Sequence, residues 1–445
     1  MEFWFTTPAV WSDQVQFEYK EAAIRAGFGP RDDRPDDTIY MLCEPEAAAL
    51  ATFKTIPPYG PGIQIKPGDG VLICDCGGGT VDVTSYLISE VSPHLSFHEL
   101  TSAVGGMCGA TAIDRNFYLL MSERFGAAFN DLPFTQKAPG SKFMVLFQEI
   151  KETFCCSAED RVYRLGLNMA LNNPNPSFFD PETLDVLLSS NDLRGIFDPV
   201  LRQITQLIHH QIESANQEVG RFIINKIVSV GGFSQSPYLR ERISATFAVD
   251  GKLAVLTPAN PQAKVMLGAA IRGLGGPQPT TRKCRRHYGF ERSPPFHPGL
   301  NNDMTAFGDV NGTRAIPRFV SWVLSKGERY AQNHTVTQDL VVIHRSGDSL
   351  IKITNLYGCN DMTPPERVDH PGVYLIAQIM CDFASVNLAQ FQHQLTSGKM
   401  EYCLEYSIQI TFGAQDDLQF RAVSQGQTVG QTTVNFARVS VGGAF

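Results

Sequence analysis

A chain of 445 residues is too long for one ordinary domain, and 43% apolar against 18% charged residues is the balance of a protein that buries large cores. A formal net charge of −8 supplies no electrostatic pull toward nucleic acid or an anionic membrane, so neither is expected as a partner. No apolar run reaches bilayer-spanning length, and the start "MEFWFTTPAVW" lacks the basic opening and apolar stretch of a signal peptide, so a cytoplasmic location is expected. The ten cysteines, Cys74, Cys76, Cys155 and Cys156 among them, then read as reduced thiols filling small buried spaces.

In chain order, "EFWFTT" predicts a strand and "SDQVQFEYKEAAIRAG" a helix capped by Ser12 or Asp13. "TIYMLC" (38–43) predicts a second strand, and "PEAAALATF" a helix with Pro45 in its first turn, where a missing N–H costs nothing. An apolar strand, "VLICDC", runs into three glycines and resumes as "VDVTSYLI"; "LSFHELTSA" (95–103) extends the meander. "ATAIDRNFYLLMSERFG", "FMVLFQEIKETFCCS" and a longer stretch around 193–219 carry apolar residues at helical spacing. "FIINKIVSVGG" is mostly apolar, as expected for a strand covered on both faces; helices at about 236–247 and over "NPQAKVMLGAAIRGLG" follow. From "GGPQPTT" the pattern changes to β. Tyr402, Leu404, Tyr406, Ile408, Ile410 and Phe412 alternate with Cys403, Glu405, Ser407, Gln409 and Thr411, which predicts a strand packed on one side. "GAQDD" turns the chain into two further strands. The basic run "TRKCRRH" (281–287) reads as a solvated connector.

The glycine string carries the chemistry. Glycines let a backbone approach a ligand closely, and Gly77, Gly78 and Gly79 in succession can aim their N–H groups into one anion-holding concavity. Thr80 adds a hydroxyl donor. Asp75 accepts hydrogen bonds only, so it suits the waters of a metal ion beside the phosphates, and Asp82 is an acid able to orient an attacking water. The competing reading of a bare "GGG" is a plain hairpin; the full string Asp75-x-Gly-Gly-Gly-Thr-x-Asp82 asks for more than a turn.

That string resembles the second phosphate loop of the actin-like ATPase superfamily, and three other segments resemble the 70-kDa heat-shock proteins in order and spacing. These are "TTPAVWSDQVQFEYKEAAIRAGF", "CEPEAAAL", and "VSVGGFSQSPYLRERI" with the later "NPQAKVMLGAAI". Trp11 and "RKCRRHYGF" are similar to the divergent 12A/12B-like branch of that family. The resemblance covers residues 1 to about 275. It implies an actin-like, ribonuclease-H-like α/β fold. Residues 1–66 would be a remnant of the first nucleotide-binding lobe and 67–274 the second lobe with a returning helix. A linker at 275–284 and a β-rich domain at 285–445 would follow. It further implies ATP or ADP with magnesium as ligands, phosphate contacts from Gly77, Gly78, Gly79 and Thr80, and Asp75, through water, near the metal. Asp82 and Glu44 would lie on the water and cation side, and Gly231 and Gly232 against ribose and adenine. Lys151 matches an adenine-flanking lysine, with an exposed helix lysine as the equal alternative. Glu44 alone could equally be an acid favoured by a helix N-terminus.

The departures limit what the resemblance implies. The family's first phosphate loop, "D-x-G-T-T", and its catalytic lysine have no counterpart in residues 1–445, so the first lobe is expected to be incomplete. Gln235 and Glu152 stand where the family has arginines. A preorganised donor lost from developing charge costs about 10²–10³ in rate, so hydrolysis by this chain alone is not expected. Three functions fit: a nucleotide-binding, chaperone-related protein; a scaffold with a degenerate ATPase fold that meets client polypeptides or other protein partners through its β-rich region; and a sugar kinase of the same superfamily.

Overall fold

A computed structural model describes residues 1–11, 13–55, 64–92, 94–157, 161–249, 251–293, 307–308, 314–315, 318–331, 333–396, 398–412 and 418–434. The chain is a mixed α/β protein that divides into two compact units, one of residues 4–10 and 42–279, the other of 1–3, 11–41 and 280–445. The expected cap at Ser12 or Asp13, the turn at 413–417 and the terminal "VGGAF" lie outside the described residues or side chains.

In the first unit, β3 (Gly70–Cys76), β4 (Val81–Glu90) and β5 (Ser96–Gly106) form an antiparallel meander, and β9 (Ile224–Val230) and β10 (Ala254–Leu256) add in parallel beyond β3, giving the order β10-β9-β3-β4-β5. This arrangement is compatible with an actin-like ATPase fold. Every residue of β3 is buried, as its unbroken apolar run requires. Leu72, Cys74 and Cys76 face a core built with α3 (Ala110–Phe125), α6 (Lys142–Thr153), α7 (Ser190–Val219) and α8 (Pro237–Phe247). Val71 and Ile73 face the other way, onto α2 (Glu44–Thr55). Two short helices, α4 (Ala127–Asn130) and α5 (Phe134–Lys137), separate α3 from α6. The small sheet β6 (Val162–Gly166), β7 (Phe179–Asp180) and β8 (Asp185–Ser189) leads into α7, whose start is fixed by a capping box: Ser189 accepts from the Asp192 N–H and Asp192 accepts from the Ser189 N–H.

The predicted "EFWFTT" strand and "TIYMLC" strand are β1 (Glu2–Thr7) and β2 (Thr38–Cys43), which pair with each other, and the helix between them is α1 (Asp13–Arg25). Alanines in "EPEAAAL" and Gly268 in α9 (Lys264–Gly273) have one common purpose. A Cβ on Gly268 would lie 1.7 Å from the Ala47 carbonyl oxygen, so α2 and α9 cross with backbones in contact.

The other unit is dominated by β structure. A four-stranded sheet runs β15 (Phe319–Leu324), β12 (His287–Arg292), β18 (Ile351–Cys359), β19 (Val373–Asp382). A second runs β17 (Thr335–Arg345), β21 (Lys399–Phe412), β22 (Leu418–Ser424), β23 (Gln427–Val434), with β20 (His393–Thr396) also on β21. Two-stranded ladders join β11 (Thr281–Lys283) to β16 (Arg329–Ala331) and β13 (Phe307–Gly308) to β14 (Arg314–Ala315). Phe290, Ile379 and Phe383 share a core with Leu404, Ile408 and Phe420, so the two larger sheets pack face to face.

Three expectations change. "TRKCRRH" is no solvated connector: it holds β11, and Arg282, Lys283, Cys284 and His287 are buried. His287 is held on both ring nitrogens, Nδ1 accepting from the Lys326 N–H and Nε2 donating to the Asp361 carbonyl oxygen, and burial keeps its pKa below the usual histidine range. Cys156 is exposed and Cys155 half-buried, while Cys403 is buried although it alternates out of phase with Leu404. All ten cysteines are free thiols.

Because the Gly268 contact leaves no room for a side chain, Gly268→Val should destabilise the protein by about 2 kcal/mol or more in urea unfolding, the upper range for overpacking. An unchanged midpoint would mean that α2 and α9 separate at little cost.

Candidate functional site

The site grows from a strand end and a helix start. The α3 sequence begins without a Ser, Thr, Asp or Asn cap; its N-cap is Gly109, and no side chain caps it. Its first N–H groups need other acceptors. The glycine turn supplies them: Gly109 N–H donates to Gly79 O (3.2 Å), Ala110 N–H to Gly77 O (3.1 Å) and Thr111 N–H to Gly78 O (2.8 Å). A Cβ on Gly109 would lie 2.5 Å from Gly78 O, so only glycine lets the helix approach this closely. With its carbonyls turned to α3, the loop faces its amides outward. Gly77 N–H closes the hairpin on Thr80 O (2.9 Å), whereas no described residue accepts from the amides of Gly78, Gly79 or Thr80.

The glycine turn is the tip of a β3–β4 hairpin, and that tip faces solvent. The glycines at that tip are not needed by the fold. Neither Gly78 nor Gly79 has a left-handed φ, and a Cβ on either would meet nothing within 4 Å.

The acids gather on the α2 face of the sheet. Asp75 and Asp82 are direct cross-strand partners in the β3–β4 register, a placement in which like charges repel. Both are buried. Glu44 opens α2 on the same side and is close enough to act on Asp75 electrostatically. Burial, and then the neighbouring Glu44 and Asp82 carboxylates, push the Asp75 carboxyl up to about 7. Glu44 also rises to about 7, through burial and then Asp82, against a hydrogen bond with Thr6 that lowers it. The Val10 N–H donates to Asp82 Oδ1 at 3.2 Å.

Gly231 and Gly105 wall this acid group. Gly231 has φ +86°, and a Cβ there would stand 2.4 Å from Asp75 Oδ1 and 2.4 Å from Cys76 O; one on Gly105 would stand 2.9 Å from Asp82 Oδ1. Gly231 is thus demanded by the protein's own packing, while its neighbour Gly232 is exposed with open space around it. Lys151 is not an exposed helix lysine. It is buried, its Nζ 2.6 Å from Asp114 Oδ1 on α3 and 5.6 Å from the Phe147 ring centroid.

The structure thus brings Glu44, Asp75 and Asp82 together and joins Gly77, Gly78, Gly79 and Thr80 to the strand that carries Asp75. Lys151 is tied to α3 instead. Sequence reasoning missed Gly109 and Gly105. The legible signal for Gly109 was a helix start, "CGATAI", with no capping side chain.

No protein-family model matches the chain. Among curated proteins it is similar to heat shock 70 kDa protein 12A of Mus musculus, 23% identical over 348 residues that make up 63% of this chain and 49% of that protein. It is similar to heat shock 70 kDa protein 12B of Homo sapiens, 23% identical over 362 residues, 66% of this chain and 51% of the other. It is also 25% identical to the chaperone protein DnaK of Thermoplasma volcanium over 275 residues, 60% of this chain and 38% of that one. The chain spans about half the length of the 12A and 12B proteins.

The raised carboxyls fix a pH dependence. Between about 4 and about 7 the folded protein holds more protons on Asp75 and Glu44 than the unfolded chain does, so their contribution favours folding at the acid end and is lost as pH rises toward 7. Asp75→Asn should therefore stabilise the protein at pH 8 without divalent cations, on the order of 2 kcal/mol, with the gain shrinking toward pH 4. A gain independent of pH in thermal melts would mean that Asp75 ionises as an ordinary carboxylate.

Proposed function

We propose that this chain, a divergent relative of the 70-kDa heat-shock proteins, binds an adenine nucleotide with the phosphates on the β3–β4 turn. One observation carries the reading. Gly78 and Gly79 are glycines where the fold tolerates a side chain, and their amides, with that of Thr80, face outward with no acceptor among the described residues. A backbone kept bare without internal need, with convergent donors, suits close approach of an anion. The Thr80 hydroxyl adds a donor beside them. Gly232, equally unobstructed, offers a second place for backbone approach, in keeping with the ribose and adenine side.

Magnesium fits the acid group by its chemistry. Among the causes that set the Asp75 and Glu44 pKa values no basic side chain appears, and a hard divalent cation would relieve the repulsion among the three carboxylates. Among the described residues no three acidic, histidine or cysteine side chains stand at direct-ligation spacing, so the fit is to a cation that keeps its waters, with Asp75, Asp82 and Glu44 holding those waters. When bound, such an ion neutralises phosphate charge. The chain's own part is to keep Asp75 fixed against Gly231 and to present the turn.

The reading takes residues 67–274 as a second nucleotide-binding lobe, 1–66 as part of a first, and 285–445 as a β-rich domain after a linker at 275–284. It assigns binding rather than efficient hydrolysis to residues 1–445, which contain no "D-x-G-T-T".

Isothermal calorimetry with magnesium–ADP and magnesium–ATP should give a saturable signal. Gly78→Val and Gly79→Val should leave the unfolding midpoint unchanged and weaken nucleotide affinity at least tenfold. No heat at millimolar nucleotide, or variants that bind as the parent does, would refute the assignment.

A further inference from the structure

A different part of the first unit carries a second binding feature. Strand β6 is the last strand of its sheet, whose order is β6-β8-β7. Its pairing with β8 is antiparallel, Val162 opposite Ser189 through Gly166 opposite Asp185. The bonds flanking the ladder set its phase: Ser190 N–H donates to Arg161 O (3.0 Å) and Leu167 N–H to Leu184 O (2.9 Å). In an antiparallel pair such bonds fall on alternate residues. Residues 161, 163, 165 and 167 therefore turn their N–H and C=O groups to β8, and Val162, Arg164 and Gly166 turn theirs outward. Among the described residues no strand pairs with those outward groups, and a strand edge of this kind is a template for another strand.

The edge opens on a cleft of about 410 Å³. One wall is the face of α6 formed by Leu146, Glu149, Ile150 and Thr153; the other is Arg161 to Arg164. Val162, Tyr163 and Arg164, consecutive strand residues that point alternately to both faces of the sheet, can line one cleft only from the strand's edge. Tyr163 and Leu165 are buried beneath, whereas Val162 is 56% exposed. Arg164 is spent on Asp180 and Asp185. Arg161 lies over the Tyr163 ring at 5.0 Å and has no ion pair among the described residues.

We propose that this cleft takes an extended polypeptide segment from a partner protein, added antiparallel to β6 against α6, with apolar side chains toward Leu146 and Ile150 and an acidic side chain toward Arg161. The outward main-chain groups specify a strand, and the helix face and the Arg161 guanidinium, without an ion pair among the described residues, specify which side chains it carries. The inference is independent of nucleotide binding.

The probe is the fluorescein-labelled peptide acetyl-Thr-Val-Lys-Val-Thr-Val-Glu-amide, titrated into the full chain and read by anisotropy. Saturable binding is expected, with slowed hydrogen exchange at the Val162 and Arg164 amides and none gained at Tyr163. Val162→Pro removes an N–H the ladder does not use, a position where an edge strand tolerates proline; it should keep the fold and weaken binding at least tenfold. Thr153→Trp, at an exposed helix position, should fill the cleft with the same result, and N-methylation of alternate peptide amides should abolish binding. The proposal is overturned by no binding at 1 mM probe, by affinity that neither variant changes, or by equal binding of the N-methylated peptide. Self-association that Val162→Pro dissolves would assign the edge to a second copy of this chain and overturn it as well.

Discussion

The candidate site depends on one backbone docking: the start of α3 set against the three carbonyls of Gly77, Gly78 and Gly79. A helix start carries N–H groups that must find acceptors, and a tight turn carries carbonyls that must find donors. Here each answers the other. The consequence is directional. With the carbonyls committed inward, the amides of Gly78, Gly79 and Thr80 face solvent, and a hairpin tip becomes a patch of donors. Gly109 is the residue that permits it, since a methyl group there would overlap the Gly78 carbonyl.

The acids beneath the turn obey the opposite logic. The register that closes the hairpin also sets Asp75 against Asp82, and the start of α2 adds Glu44 on the same face. Water is excluded and the charges are alike, so protonation or an external cation is the available relief. In the proposed reading, a bound cation–phosphate ligand would relieve that repulsion. The same sheet thus presents hydrogen-bond donors at its tip and carboxylates at its side, and the proposed function assigns both to one metal-chelated nucleotide.

Much of this was legible in the sequence, for identifiable reasons. Strands covered on both faces announce themselves as apolar runs, and β3 and β9 did. Helix α7 was readable from its apolar spacing, though its start at Ser190 and the capping box there were not. What escaped depended on tertiary partners. "TRKCRRH" looked solvated because charge in sequence says nothing of a strand partner such as β16. Lys151 could be placed on a helix, but its burial rests on Asp114 and Phe147, contributed by α3 and by its own helix. Glycines were visible as glycines. That Gly231 is required by Asp75, Gly109 by the turn, and Gly78 by neither could be read only from their surroundings.

The most direct measurement is amide-resolved NMR of the full chain titrated with magnesium–ADP. The amides of Gly78, Gly79 and Thr80 should shift together and gain exchange protection at saturation, while those of Ala110 and Thr111, already bonded to the turn, hold their positions. Saturable binding that leaves the three tip amides unmoved would contradict the account.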